Sequence, residues 1–381
     1  MIYRGFQGMK LSALGFGAMR LPVIDGDDGR IDEAAALRMV DIAMENGVNY
    51  YDTAWGYHGE NSELVMGKAL RRYPRDSFYV ATKFPGYDPA NWGKVEEIFE
   101  KQLQKLGVDH FDFYLFHNVC EMNIDAYLDD EKYGIYRYLM EQKRNGRIKH
   151  LGFSCHGAMP VLERFLAAYG KDMEFCQLQL NYLDWTFQHG KEKVELLKEY
   201  GIPVWVMEPL RGGKLANLPE KCEEDLRALR PEEEIPAWAF RFLQSIPEVT
   251  VVLSGMSDMS QLRANIKTFS EDKPLSDSEM DGLLKVASKI LGMGSIPCTA
   301  CHYCVSHCPM GLDIPRLIAL YNEHNITVAD GGFDFIAPMA VGSMPQDKKP
   351  SACLHCESCE QVCPQSIGIS EIMEKFAEIV G

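Results

Sequence analysis

The 381-residue sequence has no long apolar run. Nowhere do about 18 consecutive apolar residues occur free of charge, the length a membrane-spanning helix needs. Met1–Lys10 carries no apolar stretch of signal-peptide kind, so a cytoplasmic location without a membrane partner is expected. Basic charge is also scarce. Lys plus Arg number 39 against 55 Asp plus Glu, a formal net charge of −16. That counts against a nucleic-acid partner, which selects a basic face. No Gly-x-Gly-x-x-Gly follows the first strand-like segment, which counts against a Rossmann domain. Low-complexity tracts are missing too. With 46% hydrophobic and 25% charged residues, the bulk of the chain is expected to be globular.

What is present is alternation. Eight strand-like runs occur in order: Gly15–Arg20, Val48–Thr53, Phe78–Phe84, Phe111–His117, His150–Cys155, Phe175–Asn181, Pro203–Pro209 and Thr250–Gly255. Between them lie segments with apolar residues at three- and four-residue spacing, such as Ala34–Asn46, Asn61–Arg72, Val95–Leu106 and Val161–Tyr169. Strands alternating with helices imply parallel βαβ units, and eight of them in this length imply an α/β fold closed as a (β/α)8 TIM barrel. Asp52, Lys83, His117, Ser154, Asn181 and Glu208 each stand where a strand gives way to a loop. In such a barrel those ends share one face, where active sites are built. A last helix over Ser278–Leu291 closes the barrel domain at residue 291, and residues 292–381 form a second domain.

The second domain is marked by cysteine. Four of the twelve cysteines, Cys120, Cys155, Cys176 and Cys222, are scattered through the barrel. The other eight form two motifs of one spacing: Cys298, Cys301, Cys304 and Cys308 before Pro309, then Cys353, Cys356, Cys359 and Cys363 before Pro364. This C-x2-C-x2-C-x3-C-P run binds [4Fe–4S] clusters. In two-cluster ferredoxins the fourth cysteine ligates the other cluster. The prediction is therefore Cys298, Cys301, Cys304 and Cys363 on one cluster, and Cys353, Cys356, Cys359 and Cys308 on the second. Zinc would call for paired C-x2-C units or His partners. The long spacer, with a helix predicted at Ile314–His324, resembles the mostly helical ferredoxin-like modules of larger redox enzymes. The surface of such a module suits a redox partner protein.

In the barrel, Asp52 ends the second strand, Tyr57 follows it by five residues, Lys83 ends the third strand and His117 the fourth. A buried Lys beside a Tyr is expected to lower the phenol pKa, with Asp52 keeping the Lys charged. His117 would orient a carbonyl oxygen or relay a proton. This is a general-acid site for protonating an oxyanion as hydride reaches carbon.

On these residues the chain resembles the aldo/keto reductase family, in the subfamily with a C-terminal two-[4Fe–4S] ferredoxin-type domain, over essentially all of its length. The resemblance makes Asp52, Tyr57, Lys83 and His117 a catalytic tetrad. It makes Ser154, Gln177, Asn181, Met207, Pro209, Leu210, Ser254, Gly255, Met256, Gln261 and Asn265 candidate contacts of NADP or NAD. Four positions depart from the family pattern. Cys155 stands where an Asn usually holds the carboxamide, Met207 where an aromatic ring usually stacks, and Asp258 and Gln261 where basic residues usually meet the 2′-phosphate of NADP. An Asp near a phosphate is repulsive, so weaker preference for NADP is expected. The implied activity is oxidoreduction of a small-molecule carbonyl or alcohol, accompanied by electron transfer through two clusters. Because hydride moves two electrons and each cluster one, a flavin such as FMN on the same barrel is an alternative. A non-catalytic, cluster-bearing redox sensor is another.

Overall fold

The computed structural model describes residues 1–292, 295–296, 298, 304–328, 333–363 and 367–381. Packing divides the chain into two compact units, Met1–Arg211 with Glu232–Asp281, and Gly212–Pro231 with Gly282–Gly381. The second unit thus takes in Gly212–Pro231 and most of the helix Asp277–Gly292, which lie before the sequence boundary at 291/292.

In the first unit eight parallel strands close into a barrel. They are β1 (Leu14–Gly17), β2 (Tyr50–Asp52), β3 (Tyr79–Phe84), β4 (Phe111–Val119), β5 (Ile148–Cys155), β6 (Cys176–Gln179), β7 (Val204–Met207) and β8 (Val249–Gly255). Each pairs with the next in sequence, and β8 pairs with β1. All eight strand-like runs of the sequence are these strands. Strand side chains alternate between faces, and one face fills the barrel. Tyr50, Ala81, Phe113, Leu115, Phe175, Trp205, Val251 and Leu253 share a core, to which the hairpin of Tyr3–Phe6 and Met9–Ser12 adds Phe6 and Leu11. Phe6 meets the Trp205 ring edge-on at 5.0 Å. Burying each such large side chain stabilises by about 1.5–3 kcal/mol. A Cβ at Gly15 would stand 2.6 Å from Leu253 Cδ2, so β1 crosses this core as glycine.

Two residues further along the same strands, the inward direction turns polar. Tyr50 is followed by Asp52, Ala81 by Lys83 and Leu115 by His117. The alternation that builds the core therefore also aims these groups into the barrel mouth. Around the wall, the helix Val95–Leu106 buries Val95, Ile98, Phe99, Gln102, Leu103 and Leu106, a stripe of helical period, and stops at left-handed Gly107.

In the second unit the helices Ile314–Val328, Ile336–Gly342 and Ile369–Val380 pack on a core that includes Leu317, Ile318, Val341, Met373 and Phe376 together with Cys304 and Cys359. No strand occurs among its described residues. Among the described residues no helix is long and apolar enough to cross a membrane.

Candidate active site

Lys83 is the centre of the barrel mouth. Its side chain is 0% exposed, and its ammonium donates to Asp52 Oδ1 at 2.6 Å, to the Thr53 carbonyl at 2.8 Å and to the Tyr57 hydroxyl at 3.4 Å. Asp52 is buried with it. The Tyr57 and His117 rings meet edge-on, with centroids 5.9 Å apart. Tyr87 approaches His117 edge-on as well, at 5.2 Å. Tyr127 donates its hydroxyl to the His117 carbonyl at 2.7 Å and so fixes the strand end. His117 Nδ1 is buried and without a hydrogen-bond partner. The four side chains drawn from three strand ends and one loop are thus brought together.

The electrostatics differ from the sequence expectation in one respect. Burial raises the Tyr57 phenol well above its ordinary value of 10, and the Asp52 and Glu208 carboxylates push it the same way. A lowered phenol pKa is not what this site gives. The physical reason is burial, which disfavours the charged phenolate, with the negative charges of Asp52 and Glu208 adding to it. Burial also draws the Lys83 ammonium below 10.5 and the Asp52 carboxyl above 3.8, each opposed by the other's charge. His117 falls well below 6.5 through burial, with Lys83 and His156 adding. At neutral pH the site therefore presents a protonated phenol beside a neutral imidazole, an arrangement able to donate a proton to a bound oxygen.

Behind Lys83 lies a polar network that the sequence reading did not single out. Glu63, 0% exposed, accepts from Thr82 Oγ1 at 2.7 Å and from Gln102 Nε2 at 2.8 Å. Gln102 also donates to the Lys83 carbonyl at 3.0 Å and accepts from the Tyr114 hydroxyl at 2.7 Å. The available signal was Gln102 itself, a polar residue on an otherwise apolar helical stripe.

The other half of the mouth holds the candidate nucleotide contacts. Gln177 donates toward Met207 Sδ at 3.7 Å, while its buried Oε1 has no hydrogen-bond partner. Ser154 Oγ accepts from the Asn118 backbone at 2.7 Å. Asn181 is fully buried. Its amide donates to Asp184 and to the Glu208 carbonyl, and its oxygen accepts from the backbones of Leu183 and Asp184. Asn181 therefore shapes the turn after β6, and its hydrogen-bonding capacity is spent there, not on a ligand. Pro209 is buried and Leu210 half-buried after Glu208, whose backbone is left-handed at φ 56°. Ser254 Oγ accepts from Asn265 at 3.0 Å, both buried; Gly255 is exposed and Met256 buried. Asp258 caps the helix Met259–Thr268, accepting from the backbone N–H groups of Ser260 and Gln261 at 2.8 and 2.9 Å. Gln261 Oε1 reaches back to the Ser257 N–H at 2.9 Å. Trp185, in the short helix Asp184–Phe187 after β6, packs edge-on against Phe242 at 5.5 Å.

In the second unit Cys308, Cys353, Cys356 and Cys359 line one cavity, walled by Leu312, Ile369 and Met373. Cys304 is buried, Cys298 and Cys363 are half-buried, and Cys301 lies outside the described residues. Burial raises the Cys359 thiol to about 11, and the charges of Glu360, Cys353 and Cys308 add to it. Cys353 is raised by burial in the same way, with Cys308 and Cys356 adding. Thiols that oppose one another's ionisation fit a cationic iron core, which takes them as thiolates. Among the described residues no three His, Cys, Asp or Glu side chains close on a single metal ion.

Comparison with known proteins agrees with this layout. Residues 13–287 match the model of the aldo/keto reductase family. The chain belongs to that family. Residues 297–367 match the 4Fe-4S dicluster domain. A probable aldo-keto reductase 1 of Glycine max is 30% identical over 217 residues, 55% of this chain and 59% of that protein, less than two thirds of its length. An NADH-specific methylglyoxal reductase of Escherichia coli is 23% identical over 75% of this chain and 98% of its own. The solved aldo-keto reductase AKR11C1 of Bacillus halodurans, in its holo form, superposes with a TM-score of 0.62 at 26% identity, covering 75% of this chain and 96% of that one. The protein is an oxidoreductase with an aldo/keto reductase barrel and a 4Fe–4S domain.

Proposed function

We propose that the barrel interconverts a small carbonyl compound and its alcohol with a nicotinamide nucleotide, and that two [4Fe–4S] clusters in the second unit carry single electrons. The observation that carries the reading is the buried Lys83 ammonium shared by Asp52, Thr53 and Tyr57. Tyr57 holds its proton at the hydroxyl and gives it to the carbonyl oxygen. Lys83 stabilises the phenolate left behind, and Asp52 keeps the ammonium charged. Neutral His117 points the oxygen at Tyr57. The orphaned Gln177 Oε1, beside Met207, fits the amide N–H of a nicotinamide, with Ser154 next along the mouth. When bound, the nucleotide supplies the hydride, so the carbonyl compound, one NADH and one proton become the alcohol and NAD+. The Asp258 carboxylate already occupies the helix N–H groups that would welcome a phosphate, which favours NAD over NADP. Cys298, Cys301, Cys304 and Cys363 would hold one cluster. Cys308, Cys353, Cys356 and Cys359, which share a cavity, would hold the other.

The test is Tyr57→Phe in the anaerobic, cluster-loaded protein. Reduction of methylglyoxal by NADH should fall by about 10²–10⁴-fold, the contribution of a general acid, with nucleotide affinity little changed. Wild-type turnover in a folded variant refutes the reading. Flavin released from the purified protein would replace the nicotinamide by FMN.

A further inference from the structure

One ammonium grips the loop that carries Tyr57 from both sides. Lys105, in the last turn of the helix Val95–Leu106, has its Nζ 3.9 Å from the centroid of the Trp55 ring. The same Nζ is 3.3 Å from the Glu60 carbonyl oxygen, 3.5 Å from Glu60 Oε2 and 3.4 Å from Glu63 Oε2. Trp55 precedes Tyr57 by two residues, Glu60 follows by three and Glu63 by six. Glu63 is fully buried and Lys105 only 16% exposed along its side chain, so solvent and salt screen the contact little. The helix Ser62–Leu70 packs close enough to Val95–Leu106 for this because residue 67 is glycine. A Cβ there would stand 2.4 Å from the Lys105 carbonyl oxygen.

The loop needs a grip. His58, Gly59 and Glu60 are all left-handed, at φ 53°, 59° and 72°, and each non-glycine in that region costs about 1–3 kcal/mol. On its far side the loop is tied by His58 Nε2, which accepts from the Leu21 N–H at 3.1 Å. On the near side the ties are those to Lys105. Released there, the backbone flanking Tyr57 can relax, and the hydroxyl leaves its place 3.4 Å from Lys83.

We propose that Lys105 is a positioning residue for Tyr57: it touches no reacting atom, and acts by clasping Trp55, Glu60 and Glu63 about the proton donor. The proposal rests on Tyr57 being that donor. It predicts a loss confined to the chemical step, because a displacement of about 1 Å in a reacting group can cost 10²-fold.

The experiment uses the cluster-loaded, full-length protein with NADH and methylglyoxal. Lys105→Met keeps the aliphatic stem and deletes the charge. The expected result is a kcat lower by about 10–100-fold, an unchanged KM for NADH, recovery in Lys105→Arg, and a Trp55 emission more open to acrylamide, obtained by subtracting the Trp55→Phe spectrum. In the Trp55→Leu background Lys105→Met should cost much less, since residues in contact are coupled. Wild-type kcat in a folded Lys105→Met, or effects of Lys105→Met and Trp55→Leu that simply multiply, overturn the proposal. Should Lys105→Met not fold, Lys105→Gln takes its place, with the same outcomes. If Tyr57→Phe is silent, the proton-donor reading fails. The Trp55 quenching and the coupling then decide whether Lys105 clasps the loop, and unchanged quenching refutes it.

Discussion

Replacing Asp52 by Asn should cost stability and change its pH dependence. Lys83 is 0% exposed and Asp52 3%, with 2.6 Å between their charged atoms. An exposed ion pair contributes about 0–1 kcal/mol. Removing one partner of a buried pair costs about 3–5 kcal/mol, because the remaining charge is uncompensated. At about 2–4 °C per kcal/mol for a unit of this size, Asp52→Asn should melt about 6–20 °C lower at neutral pH. Burial already holds the Lys83 ammonium below 10.5, with Asp52 opposing that fall. Without Asp52 it falls further. Between the folded and unfolded values the unfolded chain binds more protons, so stability rises with pH across that window. The variant should therefore recover relative to wild type as pH climbs from neutral toward about 10. Urea unfolding of both proteins, followed by far-UV circular dichroism at the two pH values, measures this. Adding Lys83→Met should restore most of the loss while abolishing activity, because no buried charge is then left alone. A wild-type urea midpoint for Asp52→Asn at neutral pH, or a deficit that grows with pH, would show that the pair does not hold the site together.

Asp258→Ser keeps a capping hydroxyl on the helix Met259–Thr268 and deletes the charge. It should tighten NADPH relative to NADH, and a wild-type Kd a hundredfold tighter for NADPH, about 2.7 kcal/mol, would refute the proposed role of Asp258. Reconstituted protein should carry eight irons per chain. Cys308→Ala should lose about half of them if each cluster holds four, whereas Cys120, Cys155, Cys176 and Cys222 should be replaceable without iron loss. For Glu174, burial favours the neutral acid, but the hydrogen bonds from His150 and Lys143 outweigh it and hold the carboxyl down at about 2. Its folded pKa lies below the unfolded one, so this contribution is present above about 4.5 and is lost as pH falls toward 2. Glu174→Gln should flatten the acid limb of the stability profile; an unchanged limb would exclude the mechanism.

The strands were legible because each is a short β-branched or aromatic run ending in a polar residue, a pattern that period-two packing imposes on a filled barrel. That Asp52, Tyr57, Lys83 and His117 meet at the barrel mouth was legible because they stand at fixed offsets from those runs. What the sequence hid was set by partners distant along the chain. The Tyr57 pKa is set first by burial and then by the charges of Asp52 and Glu208, which no spacing reveals. Glu63 and Gln102 read as ordinary helix polars until Thr82 and the Lys83 carbonyl are placed beside them. Asn181 looked available to a cofactor, and the turn it closes with Asp184 and Glu208 uses all of its amide. The assignment of Gly212–Pro231 to the second unit has no local marker either, since it is a matter of packing.

The departures from the family pattern are not spread evenly round the barrel. Cys155 and Met207 end β5 and β7, and Asp258 caps the helix that follows β8. The β2–β4 side brings Asp52, Tyr57, Lys83 and His117 together, with a buried network behind them. A barrel drifting into a purely structural role would lose the expensive half first, because a buried ammonium, a buried carboxylate and an unpartnered imidazole nitrogen all cost stability. Here that half is complete, and the residues that depart from the family resemblance lie on the other half of the mouth. On the resemblance to the family, a thioether stands where a ring usually stacks and a carboxylate where a basic residue usually stands, so the proposed difference is one of carrier. On that side Gln177 Oε1, buried and without a hydrogen-bond partner, is left available to a donor group of a ligand.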